Sequence, residues 1–218
     1  MISNLQKKPD IIIVDDNLNF RQGLVFLITV DDVATVIGKA SNEREFIELL
    51  SDLKPDVVLM DINMLQNNGM EATQRALQLM PDLKIIAFTM FGDEEYYNKM
   101  YKLGVKGFLL KSAGIVELEK AIEKVMNGEN YVSDQLLRKI IINYARNNSD
   151  NFIEKAGLSA IETEIMQHVC QGLSNEDIAN KLSVSILTIK NHKANLLNKI
   201  SCQYTSHEVL NDSGYMLN

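Results

Sequence analysis

The 218-residue sequence contains only two cysteines, Cys170 and Cys202. Neither metal-ligand spacing nor the density of a disulfide framework is present, so both read as ordinary thiols, and redox or zinc chemistry is not expected. No apolar run approaches the ~18 residues that a spanning helix needs. The opening MISNLQKKPD lacks the apolar core of a signal peptide, so a cytoplasmic protein without membrane association is expected. Internal repeats and low-complexity tracts are absent. An excess of positive charge is missing too: the formal net charge is −7, which argues against general adhesion to nucleic acid. The deficit is uneven, however. Residues 151–218 carry five lysines against seven acidic residues, yet the stretch from Ile178 to His207 holds Lys181, Lys190, Lys193 and Lys199 and no acid. A local basic surface inside an acidic chain is therefore possible. His168 and His207 stand without acids or cysteines at metal spacing and read as packing or surface residues. Met60, Met64, Met70, Met80 and Met90 read as adaptable core fillers.

The length suits two modest domains. From residue 10 to about 127, short apolar runs alternate with segments of helical period: DIIIV (10–14), VATVIG (33–38), DVVLM (56–60), KIIAF (84–88) and KGFLL (106–110). Continuous apolar runs suit strands buried on both faces, as in a parallel sheet covered by helices. Helices are expected near 18–29, 42–53, 70–80, 93–103 and 114–127. The pattern predicts a doubly wound α/β domain with a five-stranded parallel sheet over residues 1–128. Residues 129–155 read as a linker containing a helix. Residues 156–218 form a smaller all-helical domain, in which Ser159 with Glu162 makes a capping box and Gly172 ends the first helix. Ser185 is the expected cap of the longest helix in this part.

The unusual polar residues of the first domain all follow strands. Asp15 and Asp16 follow the first, Asp61 the third, Thr89 the fourth and Lys111 the fifth. That edge is where open α/β sheets bind ligands. Taken singly, the aspartates read as helix caps, Thr89 as a strand-end hydroxyl and Lys111 as a surface charge. Jointly they read otherwise. Converging carboxylates need a compensating cation, and an all-oxygen set suits Mg²⁺ between Asp16 and Asp61. Lys111 and Thr89 supply a charge and a hydroxyl to hold a phosphoryl group, and Asp61 is the candidate nucleophile.

VDD (14–16), LMDINM (59–64), FTM (88–90) and GFLLK (107–111) resemble the receiver domain of two-component response regulators, over residues 9–127. The resemblance implies that Asp61 accepts a phosphoryl group from a sensor histidine kinase. It also implies that Asp16, Asp61 and the backbone carbonyl of Asn63 bind Mg²⁺, with Asp15 acting through water. Thr89 and Phe108 would be the switch pair, the Thr89 hydroxyl moving toward the phosphoryl group and Phe108 turning inward. Two departures stand out: Leu65 and Ser112 occupy positions where the family usually has proline.

In the C-terminal part, GLSNEDIANKLSVSILTIKNHKANLLNKI (172–200) pairs a short helix with a longer one through LSVS, the spacing of a helix-turn-helix. Ile178, Leu182, Val184, Ile189, Leu196 and Leu197 supply its core, and the outward face is expected to carry Lys190, Asn191, Lys193 and Asn195. Lysines neutralise phosphates, and asparagines read adenine edges. A helical module that docks another protein is the competing reading of the same pattern. Residues 157–200 resemble the LuxR-type helix-turn-helix of NarL/FixJ-type regulators, through GLSNEDIA, LSVS, Thr188-Ile-Lys and His192. The resemblance implies that the helix from about Ser185 to Lys199 enters the major groove of operator DNA, with Thr188 among its contacts. It further implies a homodimer when phosphorylated or DNA-bound, formed through the tail. Ile161, Ile186 and Thr205 or Ser206 depart from the usual pattern. The expectation is a phosphorylation-controlled transcription regulator and not an enzyme. A phosphatase proper is disfavoured because Asn63, not a second acid, stands two residues beyond Asp61.

Overall fold

The computed structural model describes residues 7–65, 68–90, 94–147, 157–197 and 199. The chain divides into two compact units, Met1–Leu136 and Leu137–Asn218.

In the first unit, β1 (Asp10–Val14), β2 (Thr35–Ala40), β3 (Val57–Asp61), β4 (Lys84–Thr89), β5 (Gly107–Leu110) and β6 (Tyr131–Val132) form one parallel sheet in the order β2-β1-β3-β4-β5-β6. The helices α1 (Leu18–Val30), α2 (Glu43–Asp52), α3 (Asn68–Leu79), α4 (Glu94–Leu103) and α5 (Ile115–Met126) connect successive strands. The β3 and β5 side chains are all buried, as expected for apolar runs covered on both faces. At the sheet edge β2 is half-exposed, and its observed span lies two residues beyond the apolar run expected. Asn17 and Asn42 cap α1 and α2 by accepting the Phe20 and Glu45 amides. Strand order reverses between β1 and β3, so a crevice opens past the carboxyl ends of these two strands.

The doubly wound parallel sheet is as expected, with one strand more than the five read from the sequence. The sixth strand, β6, lies in the stretch expected to be a linker, because two residues are too short to show a period. Its partner is β5, through Phe108 opposite Val132, and the Ser133 amide donates to the Phe108 carbonyl at 3.0 Å. The Ser133 hydroxyl then accepts the Leu136 amide, capping α6 (Asp134–Asn147).

In the second unit, α7 (Ala160–Gln171) starts on the expected Ser159–Glu162 capping box and ends at Gly172 in the left-handed region. A second capping box, Ser174 with Asp177, starts α8 (Asn175–Leu182), which ends on Ser183 at φ 53. Ser185 caps the next helix, α9 (186–197), by accepting the Thr188 amide. Ile165, Val169, Ile178, Ile189 and Leu196 form the centre of this unit. The tail expected to carry a final helix and dimer contacts lies outside the described residues.

Candidate functional site

β1, β3, β4 and β5 end side by side, and each delivers a polar residue to the same edge. Asp15 and Asp61 are each 2% exposed, Thr89 is buried and Asp16 is half-buried. Carboxylate oxygens of Asp15, Asp16 and Asp61 all lie within 4.8 Å of one another. Lys111 Nζ sits between two of these groups, 2.6 Å from Asp15 Oδ2 and 2.7 Å from Asp61 Oδ2. Here the lysine is the cation that lets two buried carboxylates coexist. Burial holds the Asp15 carboxyl above the ordinary carboxylate range; the Lys111 hydrogen bond opposes this and the Asp61 charge adds to it.

Every carboxylate is also oriented by a backbone amide. Asp15 Oδ1 accepts from Asn17 N at 2.8 Å, and Asp61 Oδ1 accepts from Asn63 N at 2.9 Å. Asp16 Oδ2 accepts from Leu65 N at 2.8 Å, a bond that proline at this position would remove. Asn63 Nδ2 donates to Thr89 Oγ1 at 3.4 Å, joining the third strand's loop to the fourth strand's end. The three carboxylates form an oxygen-only donor set that fits a small hard cation.

Three contributors carry no sequence signal, because each acts through a contact that only the folded chain makes. Phe20 places its ring 4.6 Å beneath Lys111 Nζ and its edge against Phe88. Arg21 donates to the Asp15 backbone carbonyl. Gly69 opens α3 so close to the phosphoacceptor candidate that a Cβ there would stand 2.1 Å from the Asp61 carbonyl oxygen.

Phe108, the other member of the expected switch pair, lies in the middle of β5. It already faces inward, packed edge-on against Tyr97 with ring centroids 4.6 Å apart, because β5 is buried on both faces.

The second unit presents the other candidate residues. Lys190, Asn191 and Asn195 are exposed on α9 as expected. Thr188 is half-buried, its hydroxyl 2.8 Å from that of Ser185. Lys193 is not on the outward face: it is 6% exposed and donates to Asn175 Oδ1 at 2.7 Å. The reason is its register, for four residues after Ile189 it falls on the stripe that also buries Leu196 and Leu197. Its stem packs inward while its amine reaches an amide.

Residues 11–123 match the response regulator receiver domain, and residues 156–209 match the luxR family of bacterial regulatory proteins. The chain is 30% identical over 210 residues to the transcriptional regulatory protein DegU of Brevibacillus brevis, covering 90% of this chain and 89% of that protein. It is 32% identical over 195 residues to the oxygen regulatory protein NreC of Staphylococcus aureus, covering 87% and 90%. Among solved structures, a LuxR-family two-component response regulator from Aurantimonas is 28% identical with a TM-score of 0.59, covering 65% of this chain and all of that one. The RcsB response regulator of Salmonella typhimurium has the same TM-score at 23% identity, covering 89% and 93%, which supports the fold.

Proposed function

The chain belongs to the response regulators that join a receiver domain to a luxR-family DNA-binding domain, and from that premise we propose that it takes a phosphoryl group onto Asp61 from a sensor histidine kinase. It is a transcription regulator controlled by phosphorylation. In our reading the receiver spans 1–128, the connecting segment 129–155 and the DNA-binding domain 156–218. No helix among the described residues is long and apolar enough to cross a membrane, and the reading sets the protein in the cytoplasm, beside its DNA.

The observation that carries the assignment of Asp61 is the Lys111 ammonium held 2.6 and 2.7 Å from Asp15 and Asp61 at one strand edge. In the transfer, an Asp61 carboxylate oxygen attacks phosphorus in line as the bond to the kinase histidine nitrogen breaks, leaving an acyl phosphate on Asp61 and an imidazole that departs neutral because its other ring nitrogen carries a proton. Lys111 then trades its contact with Asp61 for one with a phosphoryl oxygen while keeping Asp15. The Asn63 amide keeps the Asp61 carboxylate oriented through the exchange. The Thr89 hydroxyl, which now accepts from Asn63 Nδ2, turns to donate to the phosphoryl group. Asp16, Asp61 and the Asn63 carbonyl would hold Mg²⁺, with Asp15 contributing through water, and the ion would neutralise charge on carboxylates and phosphoryl oxygens. Phosphorylation would then favour a homodimer on operator DNA, contacted through Thr188, Lys190, Asn191 and Asn195.

The test is labelling with acetyl phosphate and Mg²⁺. Wild type should take up stoichiometric hydroxylamine-labile phosphate and Asp61→Asn none. Equal labelling of the two would remove Asp61 from the role.

A further inference from the structure

Among the described residues of the second unit, the large apolar side chains left exposed are Ile186, at 38%, and Leu187, at 67%, both in the first turn of α9. Successive helical residues turn by about 100°, which sorts α9 into two faces. Ile189, Lys193, Leu196 and Leu197 point into the unit, and Leu187, Asn191, Ala194 and Asn195 share the opposite side, all exposed. The outward stripe is therefore methyl groups and amides. Outward cations are few on α9 itself among the described residues: Lys193 is turned inward and Lys190 flanks the stripe, while α8 opens with the acids Glu176 and Asp177 and carries Lys181 in its last turn. With so few outward cations of its own, α9 is suited less to phosphates than to base edges, from which sequence discrimination comes.

Resting on the DNA-binding reading above, we propose that this stripe reads A·T pairs in the major groove, with Leu187 and Ala194 packing on thymine methyls and Asn191 bridging an adenine between them. Only thymine offers a methyl group in that groove, and an amide side chain matches the paired acceptor and donor of adenine. The seven residue steps from Leu187 to Ala194 rise about 10 Å, or roughly three base-pair steps. The two methyl contacts and the adenine contact then fall within about four consecutive pairs. Leu187, at the helix start, is the specificity-determining residue because recognition helices enter the groove with their N-terminal turns.

The experiment selects binding sites from random duplexes with the full chain, activated by Mg²⁺ and beryllofluoride. Single thymines in the selected site are then replaced by deoxyuridine, which keeps pairing and deletes the methyl group. One lost methyl contact should weaken wild type about fourfold at one or two positions. At the thymine that Leu187 covers, Leu187→Ala should bind the thymine and deoxyuridine duplexes equally. Unchanged binding of Leu187→Ala to random duplex confirms that this exposed substitution leaves the domain folded. If no thymine in the selected site is sensitive, or Leu187→Ala keeps every methyl effect, the inference falls while DNA binding stands. If no sequence is enriched at all, the DNA-binding reading falls as well.

Discussion

Replacing Lys111 by methionine keeps most of the side chain's volume and removes its charge from between two buried carboxylates. At 2.6 and 2.7 Å, each Lys111 contact is worth about 6 kcal/mol of Coulomb energy at an effective dielectric of 20. Much of that offsets the desolvation of three ions, and breaking such a buried arrangement by deleting one partner costs about 3–5 kcal/mol net. The loss is a large share of the ~5–15 kcal/mol that holds a domain together. Native-state amide exchange at β1 and β3 reads the first unit alone, so the second unit does not confuse the measurement. Without divalent ions, Lys111→Met should lower protection of these strands by the full amount. In an Asp15→Asn, Asp61→Asn background the same change should cost less than about 1 kcal/mol, the scale of the lost Phe20 ring contact. Mg²⁺ at a hundred times its dissociation constant should return about 2.7 kcal/mol to Lys111→Met. An equal loss in both backgrounds would refute the idea that this lysine is what lets the carboxylates coexist.

Three further outcomes follow from the same geometry. Burial pushes the Glu162 carboxyl up, but hydrogen bonds from Lys199 and Ser159 outweigh it and hold it below its ordinary 4.5. The unfolded chain then binds the proton first as pH falls, so this stabilisation is complete above 4.5 and disappears on acidification through the depressed value. Melting curves of Lys199→Met from pH 7 to 3 should show a flatter acid limb, and an unchanged limb would contradict the coupling. Lys190→Ala should flatten the salt slope of DNA binding by about one unit, whereas Lys193→Met should leave it unchanged, as anisotropy titrations at several salt concentrations would report. Asn98, 2% exposed in α4, has no hydrogen-bond partner for its amide nitrogen or oxygen among the described residues. Asn98→Leu should therefore stabilise the first unit by about 1–3 kcal/mol in thermal or urea unfolding, and destabilisation would show that the amide is satisfied in solution.

The strands that carry the acids and the lysine were legible because strands covered on both faces are written as unbroken apolar runs, and because a polar residue ending four of them is unusual. The partners that fix those groups were not legible. Phe20 meets Lys111 and Leu65 meets Asp16 only after the sheet has formed, and neither contact leaves a mark in local sequence. Gly69 is likewise unmarked in the sequence, since the Asp61 carbonyl stands where its Cβ would be only in the folded chain. Lys193 was misplaced for a different reason. Reading α9 by residue type sets every lysine outside, while its position four after Ile189 and three before Leu196 put it inside. Periodicity outranked polarity there, since a long aliphatic stem can serve as core so long as its amine finds an oxygen.

The last strand of the sheet has a mechanical consequence. Phe108 is tied through its carbonyl to the Ser133 amide, and Ser133 in turn caps α6 with its hydroxyl, so there is no slack between the middle of β5 and the first turn of that helix. A flexible connector would let the strand shift by an ångström and absorb the displacement in loose chain. Here the backbone is a short coupling, in which two hydrogen bonds in succession join β5 to the first turn of α6. The tie runs through the peptide of Phe108 and not through its ring, which packs on Tyr97 instead.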